Sequence, residues 1–314
     1  MQWEDRIGRR LKLQDMHILL ATVQCGSMGK AADHLAISQP VVSRSIAGLE
    51  HALGVRLLDR TRGGVEPTIY GRALLTHGLA AFNELKQGVK AIEFLSDPTA
   101  GELRIGSTEP MATGMLGVLI DRLLRRYPRL TFHTAIGSPP AIRDRELRER
   151  SIDLMIGRLP TIVPAEDTDV EVLYQDRSFV VAGAGNPWTR RRKIDLAELI
   201  NEPWTHPLPE TLAGARVVDA FRAHGLEIPP AIVTTGSLQL QNTLLATGRF
   251  LTILPLTMLY FASKRLSLKI LPVKLLIPPW PVGITTLKDR MLNPAARLFI
   301  ECAREIAKPL AKSK

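Results

Sequence analysis

Apolar side chains recur at helical spacing from Leu13 through Met16, Leu20 and Val23, the one-sided stripe of a helix that buries a single face. Gly26 stops that helix, and Ser27 is placed to cap the next one, "SMGKAADHLA", which is short and presents Ala31, Ala32 and Leu35 on one side. "IS" follows at once, leaving room for a turn of about three or four residues. Ser38 then fits an N-cap, and Pro40 in the first turn is tolerated because the first amides of a helix have no internal partner to lose. Val42, Ile46, Leu49 and Leu53 continue as one apolar stripe, while Gln39, Ser43 and Arg44 stay off it in the first two turns. Gly48 inside this helix costs about 1 kcal/mol relative to Ala, which implies close packing at that point.

Two short helices joined by a tight turn, the second with a polar N-terminal end, form the pattern of a helix-turn-helix that places its second helix in the DNA major groove. Periodicity alone also allows a helical hairpin in some other all-α core. After Gly54, "VRLLDRTRGGVEPT" predicts a short hairpin or wing around Gly63 and Gly64. Its Arg60 and Arg62 are placed to meet phosphates, contacts that position a protein without specifying sequence; the alternative is a solvated basic turn. Pro67 and Thr68 open a proline-free pattern from Ile69 to Leu95 that "SDPTAG" stops. Along it Phe82, Leu85, Val89 and Ile92 repeat in steps of three, four and three, with Leu75 a heptad earlier, a seam that predicts a second helix and hence a dimer.

From Gly101 the texture changes to alternating strands and helices: "LRIG", a helix ending at "LLRRYP", "LTFHTAIG", the charged "AIRDRELRER" and "IDLMIG". That βαβαβ order implies a mainly parallel, doubly wound sheet. A second set follows, with "DRSFVVAG", a helix around Arg216 to Ala223, "AIVTTGS", a helix from Leu238 to Ala246, "FLTILP", "PVGITTL" and a terminal helix from Asn293. Two such lobes create a cleft, and small ligands bind at the carboxyl ends of strands in clefts of this kind. The strand ends single out Ser107 and Thr108, Gly137 and Ser138, and Gly236 and Ser237, whose hydroxyls and amides at helix starts suit a carboxylate; His206 in "WTHPLP" is a further candidate. An organic acid is the expected effector. Ser107 and Ser237 also read as plain helix caps, and His206 as a structural histidine.

Composition narrows the class. The 314 residues are 45% hydrophobic and 5% aromatic, with no uncharged apolar run of membrane-spanning length, and the mixed charges of "MQWEDRIGRRLKLQD" lead us to expect no signal peptide. Cys25 and Cys302, the only cysteines, lie far apart without metal-ligand spacing, so a reduced, cytoplasmic protein with no metal and no cofactor is expected. A net charge of +10 suits an anionic partner, nucleic acid or a small carboxylate. Enzyme motifs are missing: "GAGNPW" from Gly183 lacks the third glycine of a dinucleotide loop, and no GxSxG, HExxH or Walker sequence occurs. "EDTDVE" at Glu166 reads as a solvated turn and "RRRK" at Arg190 as surface.

The run "GSMGKAADHLAISQPVVSRSIAGLEHALGVRLLDRTRGGVEPTIYG" resembles the DNA-binding signature of LysR-type transcriptional regulators. The matching positions are Ser27, Ala31, Ala32, Leu35, Ser38, Gln39, Pro40, Val42, Ser43, Ile46, Leu49, Glu50, Leu53, Gly54, Leu57, Arg60, Thr68 and Gly71. "GELRIG", "RRYPRLTF", "RERSIDLMIG" and "FLTILP" sit where that family's effector module has its strands. Leu58, Gly29-Lys30 and Tyr70 depart from the usual Phe, polar pair and Ala, changes of packing or surface that leave the groove-facing residues intact.

The resemblance implies an all-α winged helix-turn-helix over residues 1–67, a linker helix over 68–95, a hinge at 96–101 and an effector module of two Rossmann-like, periplasmic-binding-protein-like lobes over 102–314. It places Ser27, Ser38, Gln39, Pro40, Ser43, Arg44, Arg60 and Arg62 on double-stranded DNA, with Ser38 to Leu53 as the recognition helix. It further implies a dimer or tetramer that bends promoter DNA, a small molecule in the cleft that alters the angle between subunits, and a changed contact with RNA polymerase. The competing reading is a cytoplasmic small-molecule sensor whose N-terminal helices only dimerise.

Overall fold

The computed structural model describes residues 10–61, 64–97, 100–159, 165–263, 265–288 and 290–312. They form two compact units that part between Lys86 and Gln87. The first holds α1 (Leu13–Cys25), α2 (Met28–His34), α3 (Gln39–Leu53) and an antiparallel hairpin of β1 (Leu58–Thr61) and β2 (Gly64–Pro67). Its core gathers the apolar stripes of all three helices: Ile18, Leu19, Met28, Ala32, Val42, Ile46, Leu49, Leu57 and Leu58. Leu58, where the resembled family has Phe, thus fills core volume.

Helix α4 (Ile69–Ser96) runs on without a break from the first unit into the second. Leu75 packs on the first unit's core and the Phe82 ring lies 5.9 Å from that of His17 on α1, so two members of the anticipated seam belong to the unit itself. Leu85, Val89, Ile92 and Leu95 remain 51%, 55%, 66% and 78% exposed.

After the end of α4 the second unit continues with β3 (Ala100–Ser107), α5 (Glu109–Met111), a π-helical turn (Ala112–Leu116) and α6 (Gly117–Arg126). It continues with β4 (Arg129–Ile136), α7 (Pro139–Ala141), a second π-helical turn (Ile142–Leu147), β5 (Leu154–Arg158) and β6 (Thr168–Asp176). The chain then crosses to another lobe, built from β7 (Ser178–Gly183), β8 (Thr205–His206), α8 (Leu212–Arg222), β9 (Val233–Thr234), α9 (Leu238–Ala246), β10 (Leu251–Pro255), α10 (Leu256–Ala262) and β11 (Leu268–Ile270). It returns as β12 (Trp280–Leu287) and closes with α11 (Pro294–Lys312).

The sheet of the first lobe has the order β4-β3-β5-β12-β6. β3 is parallel to β4 and β5, whereas β12 is antiparallel to both β5 and β6. In the second lobe β7 is antiparallel to β10 and β11, and parallel β8 and β9 join through a Trp204–Leu251 bridge. The three-stranded sheet of the second lobe is wholly antiparallel and the sheet of the first lobe is mixed, where alternation alone predicts mainly parallel ones. The reason is the double crossing: the chain leaves after β6 and comes back as β12, which slots between β5 and β6 in the opposite direction. Leu103, Ile105, Leu119, Leu154, Ile156 and Phe299 lead one core, and Val180, Trp204, Phe221 and Leu251 the other.

Candidate DNA interface and effector cleft

Local chemistry sets the geometry of the helical unit. Ser27 Oγ accepts the Lys30 amide at 3.1 Å, an N-cap on α2. Ser38 holds the N-cap position of α3 with extended backbone, but its hydroxyl makes no capping bond. Ser38, Gln39, Pro40 and Arg44 are exposed and Ser43 is half-buried, so the first turns of α3 present one polar surface. The Arg44 Nε folds back to donate to the Pro40 carbonyl at 3.3 Å. Gly48, expected in a close contact, faces open space, since a Cβ there would meet nothing within 4 Å.

The wing is tied down from two sides. The Val65 amide donates to the Gly26 carbonyl at 2.9 Å, and a Cβ on Gly64 would overlap that same oxygen, so only glycine fits. Glu50 Oε1 accepts the amides of Leu57 and Leu58 at 2.8 and 3.3 Å. Arg60 sits in β1 opposite Val65; Arg62 lies outside the described residues.

In the effector unit the carboxyl ends of β3, β4 and β5 share one edge of the sheet. Ser107 is fully buried, and its Oγ donates across to the Ile156 carbonyl at 3.0 Å, which makes it a cross-strand brace. Thr108 and Ser138 hold the N-cap positions of α5 and α7 without side-chain capping bonds, and the Gly137 amide donates to the Ser107 carbonyl at 3.0 Å. Thr108 packs over Gly157, where a Cβ would meet its side chain at 3.4 Å. On the other lobe Ser237 caps α9 by accepting the Leu240 amide at 3.2 Å, with Gly236 beside Leu208.

His206 lies inside the second lobe. Its ring stacks on Trp204 at 5.6 Å, meets Phe221 edge-on at 6.4 Å, and bonds the Pro229 carbonyl through Nε2 at 3.2 Å. Burial pulls the imidazole below the ordinary histidine range, the carbonyl opposing it.

The family described as bacterial regulatory helix-turn-helix protein, lysR family, matches residues 13–72, and the LysR substrate binding domain matches residues 96–308. The chain belongs to the LysR family of transcriptional regulators. This LysR-type regulator is 28% identical over 296 residues to the HTH-type transcriptional regulator GbpR of Azospirillum brasilense, covering 94% of this chain and 86% of that protein. It is 27% identical to TdcA of Escherichia coli K12, covering 94% and 93%. Among solved structures, a full-length OxyR variant from Pseudomonas aeruginosa shares the fold at TM-score 0.64 and 21% identity, covering 94% of this chain and 95% of that one. CbnR complexed with its target DNA does so at TM-score 0.61 and 19% identity, covering 94% and 99%. The regulator is thus a DNA-binding protein whose helix-turn-helix is the one built from α2 and α3.

Side chains that strand ends did not reveal meet between the two lobes. Arg158, at the carboxyl end of β5, reaches Asp176 at the end of β6 with Nε and the terminal nitrogen both at 3.3 Å. Asp176 is 2% exposed, and burial raises its carboxyl more than Arg158 and the Thr257 amide lower it. The guanidinium carbons of Arg158 and of Arg216, on α8 of the other lobe, lie 5.2 and 5.1 Å from the centre of the Trp280 ring. The Arg216 Nε is buried with no hydrogen-bond partner; burial first, then the Arg158 cation, pull this guanidinium below the usual arginine range. An arginine from each lobe therefore meets on one indole.

The crossing between lobes is bonded as well. The Thr257 amide donates to Asp176 Oδ1 at 3.0 Å, the Tyr174 hydroxyl meets Thr257 Oγ1 at 2.6 Å, and the Leu256 amide donates to the Arg177 carbonyl at 2.7 Å. Among the described residues there is no cluster of metal-ligating side chains and no helix long and apolar enough to cross a membrane.

Proposed function

We propose that this LysR-type regulator acts in the cytoplasm as a dimer or tetramer, without enzymatic chemistry. In this reading it occupies two neighbouring half-sites in promoter DNA and changes its contact with RNA polymerase when an organic acid enters the interlobe cleft. Residues 1–67 read DNA through Ser27, Ser38, Gln39, Pro40, Ser43, Arg44, Arg60 and Arg62; 68–95 pair with a second chain; 96–101 act as hinge; 102–314 take the effector. Thr108, Gly137 and Ser138 face the acid from one lobe, and Gly236 and Ser237 from the other. Ser107 and His206 support these walls from behind.

The observation that carries the effector reading is Arg216. Its terminal nitrogen donates to the Pro278 carbonyl, an uncharged acceptor, its Nε is buried without a partner, and it shares the Trp280 ring with a second arginine, an arrangement that leaves positive charge for a carboxylate to neutralise. The exposed polar start of α3, without a side-chain cap, supports the DNA reading, because solvent-facing hydroxyl, amide and guanidinium groups there are within reach of base edges. An effector shifts two subunit arrangements only by as much as it binds one better than the other.

The test is a DNase footprint of the purified protein on the DNA just upstream of its own gene, repeated with a panel of carboxylates. Protection over two neighbouring half-sites, altered by a carboxylate in wild type and unaltered in Arg216→Gln, supports the reading. A footprint that every carboxylate leaves unchanged removes the organic-acid part. DNA affinity without a protected site at any tested promoter removes the two-half-site part.

A further inference from the structure

We propose that a second small-molecule site, separate from the cleft, lies where the last turns of α4 meet the start of α11, and that its ligand is an aliphatic α-amino acid. A cavity of about 290 Å³ opens there, at the small end of ligand pockets. Lys90, Glu93 and Phe94 of α4, Ala100 to Glu102 of β3, and Asn293 to Ala295 line it.

Donors facing this space have nothing to donate to. Asn293 is only 5% exposed; its Oδ1 accepts the Ala296 amide at 2.7 Å and so caps α11, but its Nδ2 has no partner. In the first turn of this 19-residue helix Pro294 has no N–H, Ala296 is capped and the Arg297 amide donates to the Asn293 carbonyl. That leaves the Ala295 amide without a partner among the described residues. A buried side-chain donor beside a free amide at a helix N-terminus is a seat for a carboxylate.

The charges on the opposite wall exclude a simple acid. The Lys90 ammonium is held by Glu102 at 3.4 Å, and Glu102 is further bonded by Arg104 at 2.5 Å. Burial raises the Glu102 carboxyl, but Arg104 and Lys90 outweigh it and hold it below the usual carboxylate range. These three groups satisfy one another. Glu93 is exposed and forms no ion pair among the described residues, so its negative charge is left facing the same space. Only a ligand with an anion and a cation side by side answers both ends, as an α-amino acid does: its carboxylate on Asn293 Nδ2 and the Ala295 amide, its ammonium towards Glu93. The floor is apolar, with the Phe94 ring and the Ala295 methyl packed around Gly101, which selects an aliphatic side chain. Bound there, the ligand links the end of the linker helix to the first lobe, independently of anything in the cleft.

The test uses the full-length protein and its melting temperature with millimolar L-alanine, L-valine, L-leucine and L-isoleucine. Isobutylamine and isovalerate, the two halves of valine, serve as controls. At least one amino acid is expected to raise the melting temperature while the two halves do not. Asn293→Asp keeps the capping oxygen and removes the donor, so it should fold as wild type and bind at least tenfold more weakly. Glu93→Gln should weaken binding comparably, and the cleft variant Arg216→Gln should bind as wild type. No shift with any of the four amino acids overturns the proposal. So does equal binding by wild type and Asn293→Asp, and loss of the response in Arg216→Gln would assign the ligand to the cleft instead.

Discussion

The Glu50 carboxylate accepts the Leu57 amide at 2.8 Å, so the last turn of α3 holds the chain where it enters the wing. Leu58 shares the same oxygen at 3.3 Å. Replacing Glu50 with Ala strands the amides of two buried residues, which costs about 1 to 3 kcal/mol. Urea unfolding monitored by circular dichroism should show that loss. An unchanged midpoint would mean that water replaces the carboxylate without cost.

Gly48 carries the opposite sign. Its added Cβ would touch nothing and the position is in mid-helix, so Gly48→Ala should raise stability by about 1 kcal/mol through helix propensity alone. The same urea titration reads it. A destabilised variant would reveal a contact that this chain alone does not make.

Arg44 is exposed and engaged only with its own helix through the Pro40 carbonyl. Arg44→Ala should therefore leave the melting temperature unchanged and weaken specific DNA binding by about 1 to 3 kcal/mol. Titrations of cognate and scrambled duplexes at one fixed salt concentration separate this from a general electrostatic loss. Equal affinity of variant and wild type for the cognate duplex would remove Arg44 from the reading set.

His206 makes stability depend on pH. Burial disfavours its cation in the folded state, so the unfolded chain takes up a proton at higher pH than the folded one. The stability it contributes is complete above the ordinary histidine range and declines as pH falls through that range towards the lowered folded value. In His206→Gln, unfolding free energy should change less between pH 7.5 and 5.5 than in wild type. Parallel pH profiles would show that His206 is not the group responsible.

The helical unit is legible in the sequence because its signals are local. Caps, the Gly26 stop, Pro40 and one-sided stripes fix α1 to α4 within a few residues of the observed bounds. β6 escapes such reading because its apolar positions, Val170, Val172 and Tyr174, are interleaved with acids that read as solvated turn. The candidate effector residues are drawn from strand ends, the one local signal that the lobes offer. Arg158, Arg216 and Trp280 lie far apart in sequence and meet on one ring only because the chain crosses between lobes twice, which no local pattern announces. Gly48 shows the reverse error: a mid-helix glycine suggests close packing where the structure has open space.

Helix α4 leaves Leu85, Val89, Ile92 and Leu95 in water. A row of that kind makes a solitary chain the unfavoured form, because covering it removes apolar area from solvent at about 25 cal/mol per Å². Pairing through this row would make the amount of assembled regulator scale with the square of chain concentration when copies are scarce. Promoter occupancy would then respond to small changes in expression more steeply than in proportion, a threshold set by four side chains on one helix and by no residue that touches DNA.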